Sequence, residues 1–427
     1  GLSWCFRIKD YFDENKNPKT DKVNLKIWVF TEQFATQRVQ QTFTVPEWAC
    51  GSIWETTFDI QPFGPYEDAI YGTNMPNEEI RTAYGNHNDT IYGGNGNIET
   101  IYPFGGNNEI HAGEGTKLIS MWGAQGNNEI YLGTETTTHT TIHMGGVQNN
   151  TSLIDGSGNL NLTWNIQVSD ESDDYYTSTA TVYNWTDRTS QVTISMRGDN
   201  RDNTLTAING VANLLDGGNE GNDTLIGGTG VDTFNMWYSQ NYGIDTVRNA
   251  TSNDILQFES SASANVDFSK FKFYKNNNGN NLVIKTTGLS NTDSFTIVED
   301  YFTSTNKIDR VIANNMANEN EEQSLAELMG ESTDTFGSFE VANNNNYTGT
   351  NYADIMMCKT GTNIIESGKG DDFLYTYGGT NTFVFNTGDG NDILYQEGGE
   401  NTILEFKNAT IAELSAPTGY DRDVNGY

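Results

Sequence analysis

Basic residues, histidines and cysteines are all scarce in this 427-residue chain. Only 23 Lys and Arg stand against 57 Asp and Glu, a formal net charge of −34. Nucleic acid is excluded as a partner, because phosphate backbones are bound through basic stripes and none is present. The four histidines are His87, His111, His139 and His143. His139 and His143 share one face of an expected strand, but no H-E-x-x-H occurs and no third ligand accompanies them, so a zinc centre is not expected. A G-x-S-x-G elbow is also missing. Carboxylates abound, but the repeats described below account for them, and no catalytic site is expected. Of the three cysteines, Cys5 and Cys50 lie in an aromatic-rich N-terminal region. They are candidates either for a disulfide or for two buried thiols. Cys358 reads as a small apolar filler. No apolar run reaches the roughly 18 residues of a membrane span. The opening Trp4-Cys-Phe-Arg-Ile-Lys has no signal-peptide pattern, and the chain reads as a piece of a longer or processed polypeptide.

Patterned glycine and aspartate fill the space these absences leave. Gly218-Asn-Glu-Gly-Asn-Asp-Thr-Leu-Ile226 is followed by a run from Gly227 that fits G-G-x-G-x-D-x-U-x at every specified position, U being a large apolar residue. Glycines allow a tight turn and expose backbone carbonyls, the Asp adds a carboxylate, and U enters a narrow core. Stacked turns of this kind set oxygen ligands at the spacing calcium requires. Near the C-terminus the position of Asp354 recurs at Asn363, Asp372 and Asn381, nine residues apart each time, and then at Asp392. Each has an apolar partner two residues on: Met356, Ile365, Leu374, Phe383 and Leu394. If one coil takes two nonapeptides, Asp354 and Asp372 stack on one edge and Asn363 and Asn381 on the other. The expectation is a calcium-binding edge opposite a neutral amide ladder.

These motifs resemble the RTX (hemolysin-type) calcium-binding repeats, which form parallel β-rolls in secreted bacterial proteins. The resemblance covers about half the chain, 198–406. It takes in the middle block of Asn203, Asn213, Asp223, Asp232 and Asp245. It also takes in a trailing hairpin, Phe271-Lys-Phe-Tyr to Leu282-Val-Ile-Lys, around Asn278-Gly279. It implies calcium at Gly218, Gly221, Asp223, Gly228, Gly230, Asp232, Asp245, Asp354, Gly370, Asp372, Asp389 and Asp392. Without the cation, stacked carboxylates about 5 Å apart repel by roughly 1 kcal/mol per pair even in water. The rolls are therefore expected to loosen without calcium and to fold on binding it.

Between Tyr84 and Ile154 the pattern is weaker. Gly106-Asn-Asn-Glu-Ile returns as Gly126-Asn-Asn-Glu-Ile, and isoleucines at 91, 101, 110, 119, 130 and 142 mark the turns. The ligand-equivalent positions are Asp89, Glu99, Asn108, Lys117, Asn128 and Thr140. Such a set reads as a largely metal-free solenoid, with calcium expected at most at Asp89, held by isoleucine stacking and amide ladders, with a β-sandwich as the alternative.

The expected fold class is all-β, with parallel β-roll or β-solenoid blocks and intervening antiparallel β modules. The expected divisions are an N-terminal antiparallel β region at 1–65, a degenerate β-solenoid at 66–159 and a β-rich insertion at 160–197. A calcium β-roll follows at 198–258, a β-hairpin module with a short helix (318–329) at 259–335, a second calcium β-roll at 336–406, and the start of a further β module at 407–427. Residues 13–21 faintly echo an EF-hand loop but lack its glycine and closing glutamate, and read as a solvated hairpin loop. N-x-S/T sequons stand at Asn88, Asn149, Asn150, Asn161, Asn184, Asn222, Asn249, Asn346 and Asn408.

Three functions compete. The first is an extracellular, cell-surface structural protein forming a layer, sheath or filament and self-associating through calcium. The second is a calcium-dependent secretion and folding module of a larger toxin or enzyme. The third is an adhesin segment binding surface glycans through Trp164, Tyr175, Tyr176 and Trp185, although packing of these aromatics against the rolls is the favoured reading.

Overall fold

The computed structural model describes residues 78–408 apart from 83–85, 87, 97–98, 136, 168–174, 239–242, 261–264, 277–278, 287–293, 315–320, 331–335, 344–345 and 397–400. Upstream it describes the backbone of Lys22–Phe30, Thr36–Thr44, Phe58–Ile60 and Ala69–Tyr71. Cys5, Cys50, the 13–21 loop, His87 and residues 409–427 lie outside the described residues. The chain divides into two compact units, 1–197 and 198–427. Both are all-β and built from parallel β-solenoid coils, and antiparallel excursions interrupt the coils. The β-sandwich alternative for the first block is thereby overturned, because its strands pair in parallel from coil to coil rather than by hairpin.

In the N-terminal unit, one parallel sheet runs through Glu78–Arg81, Glu99–Tyr102, Thr116–Ser120, His139–Gly145 and Val192–Arg197. A second runs through Thr90–Tyr92, Glu109–His111, Asn127–Tyr131 and Tyr175–Tyr183. Side chains alternate faces along a strand, so a residue two before an inward isoleucine also points inward. Stacking in register turns the isoleucines into ladders. Ile80, Ile101, Ile119, Ile142 and Ile194 form one; Ile91, Ile110, Ile130 and Val182 form the other, and all are 0% exposed. Each such burial contributes about 1.5–3 kcal/mol.

The antiparallel excursion begins at Val147 rather than at 160. Val147–Ile154, Leu160–Gln167 and Tyr175–Tyr183 form a meander whose last strand rejoins the solenoid ladder on Asn127–Tyr131. Trp164 and Trp185 are 1% and 0% exposed, in line with the favoured packed reading of these aromatics rather than a glycan-binding face. Their rings belong to the core that seats the meander, and only Tyr175 and Tyr176 of that set reach solvent.

The C-terminal unit repeats the plan. Leu215, Phe234, Leu256 and Val311 stack in one sheet, and Leu205, Leu225, Val247 and Val298 in the other. Phe271–Asn276 and Leu282–Thr286 form the expected hairpin; the first pairs in parallel with Ser338–Asn343 and the second antiparallel with Phe295–Val298. Through this hairpin the sheet continues into a last roll of Ile355–Thr360, Phe373–Thr376 and Ile393–Gln396, faced by Thr362–Glu366, Thr380–Asn386 and Asn401–Lys407. Cys358 is buried in that roll with Met356, Ile365, Leu374 and Phe383, and desolvation pushes its thiol up to about 12.

Of the expected helix over 318–329, residues 318–320 lie outside the described residues and Leu325–Met329 is helical. Glu321–Ser324 is instead a strand, antiparallel to Arg310–Asn314. The sheet overrides the local propensity: Glu322 takes a two-pronged contact from Arg310, and Asp309 accepts from the Ser324 hydroxyl and the Ala326 amide.

Candidate metal-binding turns

In each D-x-U triplet of the C-terminal unit the Asp opens a strand two residues before an inward apolar residue. It therefore shares the inward face, at the corner where the turn enters the sheet. The corner is dry: Asp223, Asp232, Asp245, Asp254, Asp354 and Asp372 are all 0–2% exposed. The turn glycines have two separate jobs. Gly218, Gly221 and Gly370 hold φ of 114°, 104° and 127°, in the left-handed region. Gly230 permits close stacking, since a Cβ there would fall 1.7 Å from the Val211 carbonyl oxygen of the preceding coil.

The acids form columns. Asp223 Oδ1 accepts from the Asn203 amide at 2.7 Å, and Asp245 Oδ1 from the Asp223 amide at 3.0 Å. On the facing sheet Asn213 Nδ2 donates to Asp232 Oδ1 at 2.7 Å, and the Asp232 amide to Asp254 Oδ1 at 2.8 Å. In the last roll Asp372 Oδ1 accepts from the Asp354 amide, 18 residues away, at 2.9 Å, and Asp392 Oδ1 from the Asp372 amide at 3.1 Å. Opposite them, Asn363 Nδ2 donates to Asn381 Oδ1 at 2.8 Å. The two-edged arrangement thus has acids on one edge and amides on the other.

The acids differ in how completely they are satisfied. Asp232 Oδ2 accepts from the Gly228 amide at 2.6 Å, Asp254 Oδ2 from the Thr251 amide at 2.7 Å, and Asp354 Oδ2 from the Thr350 amide at 2.6 Å. Asp354 Oδ1 also takes the Ser338 amide. By contrast, Asp223 Oδ2 and Asp372 Oδ2 are buried with no hydrogen-bond partner. A Cβ on Gly217 would stand 2.1 Å from Asp223 Oδ2, so the glycine keeps the space beside that oxygen open. Burial, reinforced by the charge of Asp245, pushes the Asp223 carboxyl up to about 9. Burial, with the charges of Asp354 and Asp392 adding to it, pushes Asp372 up to about 7. Asp245 lies well above the usual range, chiefly by desolvation with Asp216 and Asp202 adding to it, and desolvation also raises Asp232, Asp354 and Asp392.

Unsatisfied buried oxygens beside an open cradle fit a hard, oxygen-seeking cation. Among the described residues no three carboxylates, imidazoles or thiolates converge as a ready-made coordination shell. A cation at these corners would therefore draw part of its shell from turn carbonyls. Of the expected residues, Asp223, Asp232, Asp245, Asp354, Asp372 and Asp392 lie in the columns with their turn glycines. Asp389 does not. It sits in the turn before Asp392, where its Oδ2 accepts from the Asn386 amide and its carbonyl from Gly370. Asp254 was absent from the expected ligand set although Asp254-Ile-Leu repeats the D-x-U triplet; it completes the column below Asp232.

In the N-terminal unit the same corners carry different chemistry. Asp89, Glu99, Asn108, Lys117, Asn128 and Thr140 are all buried. Asn108 Nδ2 donates to Asn128 Oδ1 at 3.0 Å, and Asn128 Nδ2 to the Thr179 carbonyl at 3.4 Å. On the other edge Lys117 Nζ lies 2.6 Å from Glu99 Oε2, with both side chains 0% exposed. His139 and His143 point outward and contact Thr193 and Ser195 hydroxyls rather than each other. No protein-family model matches this sequence, and no curated protein is significantly similar to it.

Proposed function

We propose that this chain is a calcium-stabilised extracellular structural protein that self-associates through calcium into a cell-surface layer, sheath or filament. The observation that carries the reading is the pair of buried, unpartnered carboxylate oxygens on Asp223 and Asp372, set in acid columns with raised pKa values. A divalent cation offsets both the desolvation and the mutual repulsion of such a column, and oxygen donors from carboxylates and turn carbonyls favour calcium over softer metals. A net charge of −34 makes divalent bridging between copies of the chain effective as well. Solenoid coils contact only their neighbours, so binding at each corner couples directly to local folding. The resemblance to RTX repeats points to an extracellular location, where calcium is plentiful.

Molar mass measured by light scattering, during a calcium titration from chelated to about 10 mM, tests the reading. Growth into large, chelator-reversible assemblies is expected. A chain that compacts but stays monomeric would instead assign it to a secretion and folding module of a larger protein.

A further inference from the structure

The Glu99–Lys117 pair occupies a corner built like the acidic ones. Gly93-Gly94-Asn95-Gly96 precedes Glu99, as Gly227-Gly228-Thr229-Gly230 precedes Asp232. The Gly94 amide donates to both Glu99 oxygens at 3.1 and 3.0 Å, as the Gly228 amide donates to Asp232 Oδ2 at 2.6 Å. Glu99 lies two residues before inward Ile101, and Asp232 two before inward Phe234. What differs is the next occupant. From the following coil, Lys117 brings its ammonium to 2.6 Å from Glu99 Oε2 and 2.8 Å from the Gly96 carbonyl oxygen, with no exposure to solvent. A carboxylate and a turn carbonyl converging on one buried positive centre is the donor set of a cation site.

We infer that the space filled by the Lys117 ammonium is a cation site whose ligand the chain itself supplies, a tethered counter-ion in place of a bound one. The inference does not rest on calcium binding by the C-terminal unit. It makes this corner of the N-terminal unit independent of dissolved cations and gives the vacated site a ligand class: small cations such as alkylammonium or calcium. The geometry requires a lysine rather than an arginine. The corner accepts a compact charge on a long apolar stem, and the bulkier planar guanidinium would have to displace the closely packed Gly96 carbonyl and Glu99 carboxylate.

The test is hydrogen exchange by mass spectrometry on the full chain, read at peptides spanning 99–120. Wild-type protection there should be unchanged by chelator. Lys117→Ser, which leaves Glu99 buried without its cation, should exchange about a hundredfold faster. Methylammonium chloride or calcium chloride should restore protection in that variant but not alter the charge-free Glu99→Gln/Lys117→Met double variant, which retains a filled core. Three results would overturn the inference: chelator-sensitive protection in the wild type, full protection in Lys117→Ser without added cation, or failure of every added cation to restore it.

Discussion

In residues 1–197 the coil corners hold an amide ladder, Asn108 on Asn128, and a lysine seated on a glutamate; in residues 198–427 the equivalent corners hold Asp223 over Asp245 and Asp354 over Asp372. The backbone plan is shared, with parallel coils, inward apolar ladders and a hairpin excursion whose last strand rejoins the sheet. The difference lies in who neutralises the corner. At the Glu99–Lys117 and Asn108–Asn128 corners the first unit closes its electrostatics internally. The other leaves buried oxygens and raised pKa values that an external cation would relieve. A solenoid is thus a neutral framework, and a handful of side chains at one position per turn decide whether its stability is autonomous or conditional.

The contrast can be broken most sharply at Lys117. Lys117→Met fills the same volume but strands the Glu99 charge, and should cost the N-terminal unit about 3–5 kcal/mol in denaturant unfolding. Because methionine blocks the space, the loss should be the same with calcium and with chelator. The opposite sign is expected at Asp372. Asp372→Asn removes a buried charge next to Asp354 and Asp392, so in chelator it should stabilise the last roll by about 1 kcal/mol or more. The same substitution should reduce the gain on adding calcium.

Acidity offers a second handle. Asp223 and Asp372 have folded-state pKa values of about 9 and about 7, above their ordinary 3.8. A carboxyl raised by folding supports the fold fully below its unfolded value, and that support is lost as pH rises through the folded value. In chelator, stability of the C-terminal unit should therefore rise steadily on titration from about pH 9 toward pH 4. Saturating calcium should flatten the trend, and calcium binding near pH 6 should release protons, seen as a buffer-dependent heat in calorimetry. The smallest effect on calcium binding is expected on the neutral edge. Asn363→Ala removes the ladder hydrogen bond to Asn381 and a second to the Thr360 carbonyl, each worth about 1 kcal/mol, and should leave calcium stoichiometry unchanged, whereas Asp372→Ala should lower it.

Much of this architecture was legible in the residues. The nine-residue recurrence from Asp354 to Asn381 places like over like once two nonapeptides make a coil, and the Asp354–Asp372 and Asn363–Asn381 contacts follow. The isoleucine spacing of the first block was equally readable, because a narrow core admits one large apolar residue per turn. What could not be read was pairing between coils of unequal length. Glu99 and Lys117 looked like departures from an acidic pattern, and only the register of Glu99–Tyr102 on Thr116–Ser120 makes them an ion pair. Nor could the sequence separate the satisfied carboxylates from the stranded ones. Asp354 and Asp372 stand in the same motif, yet Thr350 supplies an amide to Asp354 Oδ2 while Asp372 Oδ2 has no such partner. Packing of the meander tryptophans was the favoured reading, but aromatic content does not say which face a strand buries, so the exposed Tyr175 and Tyr176 could not be told apart from them. The helix over 318–329 was shortened by an edge strand whose partner lies at Arg310–Asn314.

The most direct test of the central claim is hydrogen exchange on the intact chain, in calcium and then in chelator, resolved by unit. The account predicts that Thr224–Ile226, Ile244–Arg248 and Phe373–Thr376 lose protection on chelation while Thr90–Tyr92, Glu109–His111 and Thr116–Ser120 keep theirs. Equal loss in both units, or no loss in either, would contradict it.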